Sequence, residues 1–377
     1  MSQLKQSQSG YDYRLVRAGD RERYLDLHET VWGHERTNEW FDWRFRENPY
    51  VDGTPIAVAE HDGELVGAEP CLAFRLRVGT ETTTALQPAD WAVHPDHRKL
   101  GVFFGMTERL LEAQTDGPAQ LYFNFPNEHL VPGLETFDWT IRDGPTTHYR
   151  IQNPERVVRL GSGSKREFTS VASGNLGRLV TPLARGYLQA RDRLRGSVDG
   201  VSVERAESIP VGLLTTLTRH RDDGPVHVVR DAAYYRWRFA NPRWETTTYV
   251  ARRDGCAVAA CLTCSEQRGK IRSTAVLDVV PRDASVGRDV YRALLEPILA
   301  DANESDVVKV GEWPIPASVL RTFGFRANDR FPIAAFSNST ALAVRPTTRS
   351  VSEGVEIGGV DPTEHDWELQ LADQDIA

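Results

Sequence analysis

The sequence predicts an α+β protein built of two tandem domains of one fold, each a mixed, mostly antiparallel sheet with helices on both faces. Three observations predict it. Blocks of sequence recur in the same order in the two halves, a hairpin signal follows the first block of each half, and each half closes on a strand–helix–strand pattern. A length of 377 residues is also long for one core and comfortable for two.

The repeat is carried by four blocks. Trp43-Arg44-Phe45 followed by Asn48-Pro49 returns as Trp237-Arg238-Phe239 followed by Asn241-Pro242. Asp62-Gly63 and Asp254-Gly255 then stand between alternating apolar runs, a strong hairpin signal. Val93-His94-Pro95 is matched by Val279-Val280-Pro281, which sets Gly101 opposite Gly287. Finally Leu134-Glu135-Thr136-Phe137 is echoed by Leu320-Arg321-Thr322-Phe323.

Within the first copy, periodicity predicts a helix over 21–31, a hairpin of strands 55–60 and 64–74, and a strand over 82–93. A helix from Gly101 to about Gln114, a buried strand over 120–125, a short helix and a last strand follow. The resulting division is a first domain at 11–150, a connector at 151–200, a second domain at 201–346 and a tail at 347–377. The connector holds Gly161-Ser162-Gly163-Ser164, a flexible composition, and an Arg-rich helical stretch over 176–194. That stretch reads as a linking helix with a solvated basic face; an anion-contacting face is the sharper alternative.

Eight acids and no Lys or Arg follow residue 352, and they account for the whole formal net charge of −8. The body is therefore neutral, which argues against nucleic acid as a partner. The Gly- and acid-rich tail reads as loosely ordered, with Trp367 and Leu369 as the residues able to dock it. The polar N-terminus and the lack of a long apolar run exclude a membrane partner and point to the cytoplasm. Cys261 and Cys264 have C-x-x-C spacing, but no second ligand pair accompanies them, so they read as small buried strand residues and no metal is expected.

The segment that carries chemistry runs from Asp90 to Gly105. An apolar strand ends at His94-Pro95, a short loop carries Arg98, Lys99 and Gly101, and a helix begins. Unpaired N–H groups at a helix start, with two cations beside them, make a site for a pyrophosphate. Gly101 lets the backbone approach it without a Cβ in the way.

This segment resembles motif A of the GNAT N-acetyltransferases, V-x-H-P-x-x-R/Q-x-x-G-x-G/A, in Val93, His94-Pro95, Arg98 and Gly101. Val93 sits one residue closer to the His-Pro pair than in the motif, and Phe103 stands where the family usually has Gly or Ala. Leu320 to Phe325 is similar to the block that ends the helix before the family's last strand. The resemblance spans most of both repeats. It implies an acyl-CoA-dependent N-acyltransferase, acetyl-CoA as cosubstrate and a small-molecule amine as acceptor. It further implies that Val93, His94, Arg98, Lys99, Leu100, Gly101, Val102 and Phe103 form the cofactor loop and that Asn127 holds the CoA arm.

The Tyr that many relatives use as general acid is replaced by Leu134 and Leu320. The candidates for proton transfer are then Asp90 as base, with Tyr122, Glu128 and His129 on and after the neighbouring strand. Each has a bland reading beside the catalytic one; Asp90 also suits a strand-end carboxylate paired with an Arg or a backbone N–H. Trp43 and Trp237 recur in both copies and read as core. In the second copy Ala284 and Ser285 replace the two cations and Asp289 falls opposite Phe103, so that copy is expected to serve as a wall, with the acceptor near the interface. Two other functions stay open: a non-catalytic CoA-sensing or interaction module and, with less support, aminoacyl transfer from tRNA.

Overall fold

The computed structural model describes residues 10–115, 117–156, 186, 188, 190–192, 198–218, 224–282, 286–331, 333–335, 340–347 and 355–375. Gly161 to Ser164, most of 176–194, and Ala284 and Ser285 lie outside them.

The first half runs β1 (Asp12–Leu15), α1 (Arg21–Trp32), α2 (Asn38–Phe41), β2 (Ile56–His61), β3 (Glu64–Val78), β4 (Glu81–Pro88) and β5 (Ala92–Val93). It continues as α3 (Val102–Ala113), β6 (Ala119–Asn124), α4 (Val131–Glu135), β7 (Thr140–Asp143) and β8 (Thr147–Ile151). The second half runs β9 (Ser202–Ala206), α5 (Val211–Leu217), β10 (His227–Val228), α6 (Ala232–Arg238), β11 (Glu245–Arg253), β12 (Cys256–Arg268) and β13 (Ile271–Val280). After these come α7 (Arg288–Asp301), β14 (Val307–Gly311), α8 (Ala317–Thr322), β15 (Arg326–Ala327) and β16 (Ala341–Pro346). The predicted elements are found near their predicted ends, except that the strand over 82–93 is broken between β4 and β5, where Asp90 has φ of 47°.

The chain makes two sheets, and they exchange their last strands. The first sheet has the order β1-β2-β3-β4-β6-β16-β7, with β5 and β10 also paired to β3. The second has the order β15-β8-β14-β13-β12-β11-β9. The spans 11–150 and 201–346 thus each lend strands to the other's sheet. Only residues 144–146 separate β7 in one sheet from β8 in the other. At this crossing Gly144 donates its N–H to Thr340 O at 2.8 Å. A Cβ on Gly144 would lie 2.4 Å from that same oxygen, so the crossing needs glycine.

The repeated Trp blocks meet at the centre. α2 continues as a π-helical stretch, Asp42–Arg46, which carries Trp43 and Arg44; α6 carries Trp237 and Arg238. Trp43 Nε1 donates to Trp237 O at 2.7 Å, and Trp237 Nε1 donates to Trp43 O at 2.9 Å. The rings stack with centroids 6.4 Å apart. Each residue contacts its own counterpart, the signature of a two-fold arrangement. One core runs through this pair from the first sheet to Val250, Leu262 and Leu277 of the second. A second core lies between that sheet and α7 and α8, around Tyr249, Cys261, Val276, Leu294 and Phe323.

The expectation of a loosely ordered tail is corrected over residues 355–375. Leu369, Leu371 and Ala372 are buried, Trp367 packs on Phe123 at 5.7 Å between centroids, and the Asp373 side chain is wholly buried. Asp373 is 2.7 Å from Arg230, which also holds Asp278 at 2.8 Å. The tail's acids thus neutralise buried arginines far away in sequence, a pairing that composition does not reveal.

Trp43→Ala and Trp237→Ala are each expected to cost roughly 3–5 kcal/mol in urea unfolding, as large aromatic deletions from a packed core do. The double variant should cost less than the sum, because the rings share one contact. Additive costs would show that the rings act independently.

Candidate active site

The broken strand creates the site. β4 and β6 run parallel through Thr84–Ala119, Ala85–Leu121 and Leu86–Tyr122. Beyond Leu86 they part: β5 pairs with β3, while β6 continues against β16 through Asn124 and Ala343. A gap opens with the turn and β5 on one wall and residues 123–127 on the other. Gly67 and Val93 face each other across β3 and β5, and His94 N donates to Val66 O at 2.9 Å. Bonded and non-bonded pairs alternate in an antiparallel ladder. The N–H and C=O of Val93 therefore point away from β3, into the gap.

At the mouth of the gap a 3₁₀ turn, Pro95–His97, leads to Gly101, whose φ of 84° belongs to glycine. α3 then starts, and the N–H groups of Val102, Phe103 and Phe104 have no preceding helical turn to accept them. Arg98, Lys99 and Leu100 are exposed beside them, and Arg98 Nε lies 3.1 Å from Val93 O. His94 Nδ1 accepts from Asp96 N, and His97 shares a 3.0 Å hydrogen bond with Tyr11. The Phe103 ring leans on Trp91 and Phe137 with centroids 5.8 and 6.3 Å away, toward α4.

The structure distributes the other candidates unevenly. Asn127, Glu128 and His129 are exposed on the turn before α4. Asn127 Oδ1 accepts from the N–H groups of His129 and Leu130, at 3.0 and 3.2 Å. Tyr122 stands at the closed end of the gap, buried, with no hydrogen-bond partner for its hydroxyl. Burial pushes its phenol up from the usual range. Asp90 lies in the turn between β4 and β5, where Arg44 Nη2 reaches it at 2.9 Å. Arg44 is fully buried and also holds Asp375 of the tail.

Two groups escaped the reading of the sequence. One is a set of buried polar atoms around Arg44: Arg44 Nε and Nη1, Tyr24 Oη, His28 Nδ1 and Trp40 Nε1 have no hydrogen-bond partner. His28 and Trp40 lie 5.3 Å apart, and Arg44 Cζ lies 5.3 Å from the Trp40 ring. Burial, and after it the charge of Arg36, brings His28 down to about 3, so its ring is neutral. Arg44 belongs to the Trp-Arg-Phe repeat, which was the available signal.

The other group is Glu69 on β3, 1% exposed beneath α3, whose carboxylate accepts from Thr107 Oγ1 at 2.7 Å. Desolvation raises it from 4.5 to about 7, with Thr107 and Trp91 partly offsetting that cost. Both faces of β3 are buried, so alternation gave no hint of it.

In the second half the corresponding strand edge is occupied from within the chain. Cys261 and Val279 pair across β12 and β13, and Val279 N and O turn away from β12. There the Gln370 side chain meets both: Val279 N donates to Oε1 at 2.7 Å and Nε2 donates to Val279 O at 2.9 Å. At the start of α7, Asp289 folds back over Gly287 and pairs with Arg253. Among the described residues no group of three or more His, Cys, Asp or Glu is placed to hold a metal ion. Nor is any helix among them long and apolar enough to cross a membrane.

Comparison with known proteins finds a family match over part of the chain. Residues 12–142 match the family described as "Acetyltransferase (GNAT) domain". Comparison with curated proteins finds no match. Among solved structures, a GCN5-related N-acetyltransferase from Anabaena variabilis superposes with TM-score 0.54 at 10% identity, over 90% of this chain and 73% of that one. A probable N-acyltransferase from Enterococcus faecalis does so with TM-score 0.58 at 9% identity, over the same 90% and 73%. A GCN5-related N-acetyltransferase from Kribbella flavida gives 0.52 at 13% identity, over 89% and 71%. At such identities these likenesses establish the fold.

Glu69 sets a pH dependence whose sign is fixed. A carboxyl with a raised folded-state pKa stabilises fully below its unfolded value of 4.5, and that stability is lost as pH rises through about 7. Glu69→Gln should therefore gain on the wild type between pH 4.5 and 7, by on the order of 3 kcal/mol, with parallel curves outside that window. Urea midpoints that track each other across it would refute the shift.

Proposed function

We propose that the protein transfers an acetyl group from acetyl-CoA to a small-molecule amine, a reading supported by the match of residues 12–142 to the GNAT acetyltransferase family. The observation that carries this reading is the alignment of three features along one line. The outward-facing amide edge of Val93, the open gap between β5 and β6, and the α3 N-terminus with Arg98 and Lys99 succeed one another. A long thioester bearing amides in its arm and a diphosphate at its far end fits that line. The second half supplies an internal precedent, since the Gln370 carboxamide already satisfies the edge of Val279 that corresponds to Val93.

The residues then divide the work. Gly101 to Phe104 offer N–H groups to the diphosphate, and Arg98 and Lys99 neutralise it. Val93 orients the arm so that the thioester carbonyl meets a backbone N–H of the wall, which favours negative charge on its oxygen. The amine enters from the face that carries Asp90, where Tyr24, His28, Trp40 and Arg44 hold their orphan polar atoms. Asp90 takes the amine's proton, and attack on the carbonyl carbon releases CoA as thiolate. Proximity supplies much of the rate. Tyr122, at the closed end of the gap, is the buried hydroxyl assigned to protonate the leaving thiolate. The second half and the tail wall the acceptor space, since Trp237 stacks on Trp43 and Asp375 pairs with Arg44.

Binding of CoA without turnover is the competing reading, favoured by Leu134 at the usual position of the acid. Release of CoA from acetyl-CoA across a panel of small amines separates the two: turnover with any amine supports the enzyme, and tight binding without turnover supports the sensor.

Arg98→Ala should weaken acetyl-CoA binding by about 1.5–3 kcal/mol, the loss of a charge-assisted hydrogen bond. Gly101→Val should abolish binding, because a β-branched residue does not tolerate the left-handed backbone there. Unchanged affinity of both variants by calorimetry would refute the placement of the cofactor.

Asp90→Asn keeps the shape and tolerates the positive φ. It should lower kcat by about 10²–10⁴-fold while acetyl-CoA affinity stays near wild type. Joint loss of affinity and thermal stability would instead make Asp90 a structural carboxylate.

A further inference from the structure

The two halves carry the same strand edge with opposite fates. The N–H of Val93 faces the gap while its carbonyl accepts from the exposed Arg98 side chain, whereas both groups of Val279 are met by Gln370, which is 2% exposed. From that point the tail follows a fixed course. Gln370 N donates to Asp373 Oδ2 at 2.8 Å, and Asp373 N returns to Gln370 O at 3.0 Å. Arg238 Nε donates to Ala372 O at 2.8 Å and its Nη2 to Gln374 O at 2.9 Å. Gln87, on β4 of the first sheet, donates to Asp373 O at 2.9 Å. The next residue but one, Asp375, pairs with Arg44, which holds Asp90.

A tail needing only burial would be served by Leu369, Leu371 and Ala372. This one is instead held by hydrogen bonds to β13, β4, α6 and Arg230, and its Asp375 reaches the cation that grips Asp90. We propose that the strand edge vacated in the second half anchors the segment Gln370–Asp375 as a tether, which sets Asp375 on Arg44 and thereby positions Asp90 in the gap of the first half. Gln370 and Asp375 are positioning residues in this scheme, acting through Arg44. The assignment rests on the reading of that gap as the acyl-transfer site.

Two measurements on the full chain test it. Hydrogen exchange reads the tether without reference to activity. Gln370→Ala should raise exchange at the amides of residues 371–375 by at least tenfold. Gln370→Glu, which keeps the acceptor and loses a donor, should have a smaller effect. Unchanged exchange at residues 373–375 in Gln370→Ala overturns the tether. Kinetics then read the positioning. Asp375→Asn should lower kcat at least tenfold and shift the pH profile of kcat, with the KM for acetyl-CoA within about twofold of wild type. Adding Gln370→Ala to it should lower kcat little further. Looser exchange with unaltered kcat and pH profile overturns the positioning role. A wild-type protein that binds acetyl-CoA but acetylates no amine in the panel sinks the transferase reading and this role with it, whereas the exchange result still decides whether the tether exists.

Discussion

Everything in this molecule hangs on a contact that each half makes with the other's copy of itself. Trp43 donates to the carbonyl of Trp237 and Trp237 to that of Trp43. Two indoles on a core face each carry one N–H that burial would leave unsatisfied. The two-fold arrangement satisfies both with one geometry and removes two large apolar surfaces from water. Once that pair is set, the sheets lie close enough for the short span 144–146 to cross between them. β8 and β16 then complete each other's sheets.

Duplication about such a contact leaves two corresponding strand edges, and they have diverged in backbone and in charge: the first strand is broken at Asp90 before a left-handed Gly101, whereas β13 is continuous and Gly287 is extended. The first has exposed Arg98 and Lys99 at a helix start that begins with a left-handed glycine. The second has Asp289 folded over its helix start and an amide side chain on its strand edge. The Asp289 carboxylate there pairs with Arg253, so the charge beside that helix start differs from the exposed cations beside α3.

Burial of charge joins the halves to the site. Arg44, Arg230 and Arg238 are wholly or almost wholly shielded from water, and each is met by carbonyls or carboxylates of the tail. Such pairs add little net stability against apolar packing, but breaking one is costly, so they specify position. Here the position specified is that of residues 370–375, between the two sheets and beside Asp90.

The sequence by itself determined the α+β class, the repeat and the order of elements, and it marked Val93 to Phe103 as the candidate cofactor loop. It did so because Val93 to Phe103 are contiguous and because helical and strand periods are local. Asp90, Tyr122 and the residues from Asn127 to His129 were legible as neighbours of that loop, but their partners were not. Only the tertiary structure decided the exchange of β8 and β16, since an edge strand's N–H and C=O groups look alike to any partner. It alone decided the seat of the tail, since Arg44 and Asp375 lie 331 residues apart and no periodicity links them. It alone revealed Glu69, because a strand buried on both faces hides one carboxylate among apolar neighbours. Local sequence patterns carry backbone conformation; pairing between distant edges and distant charges exists only once the chain has closed on itself.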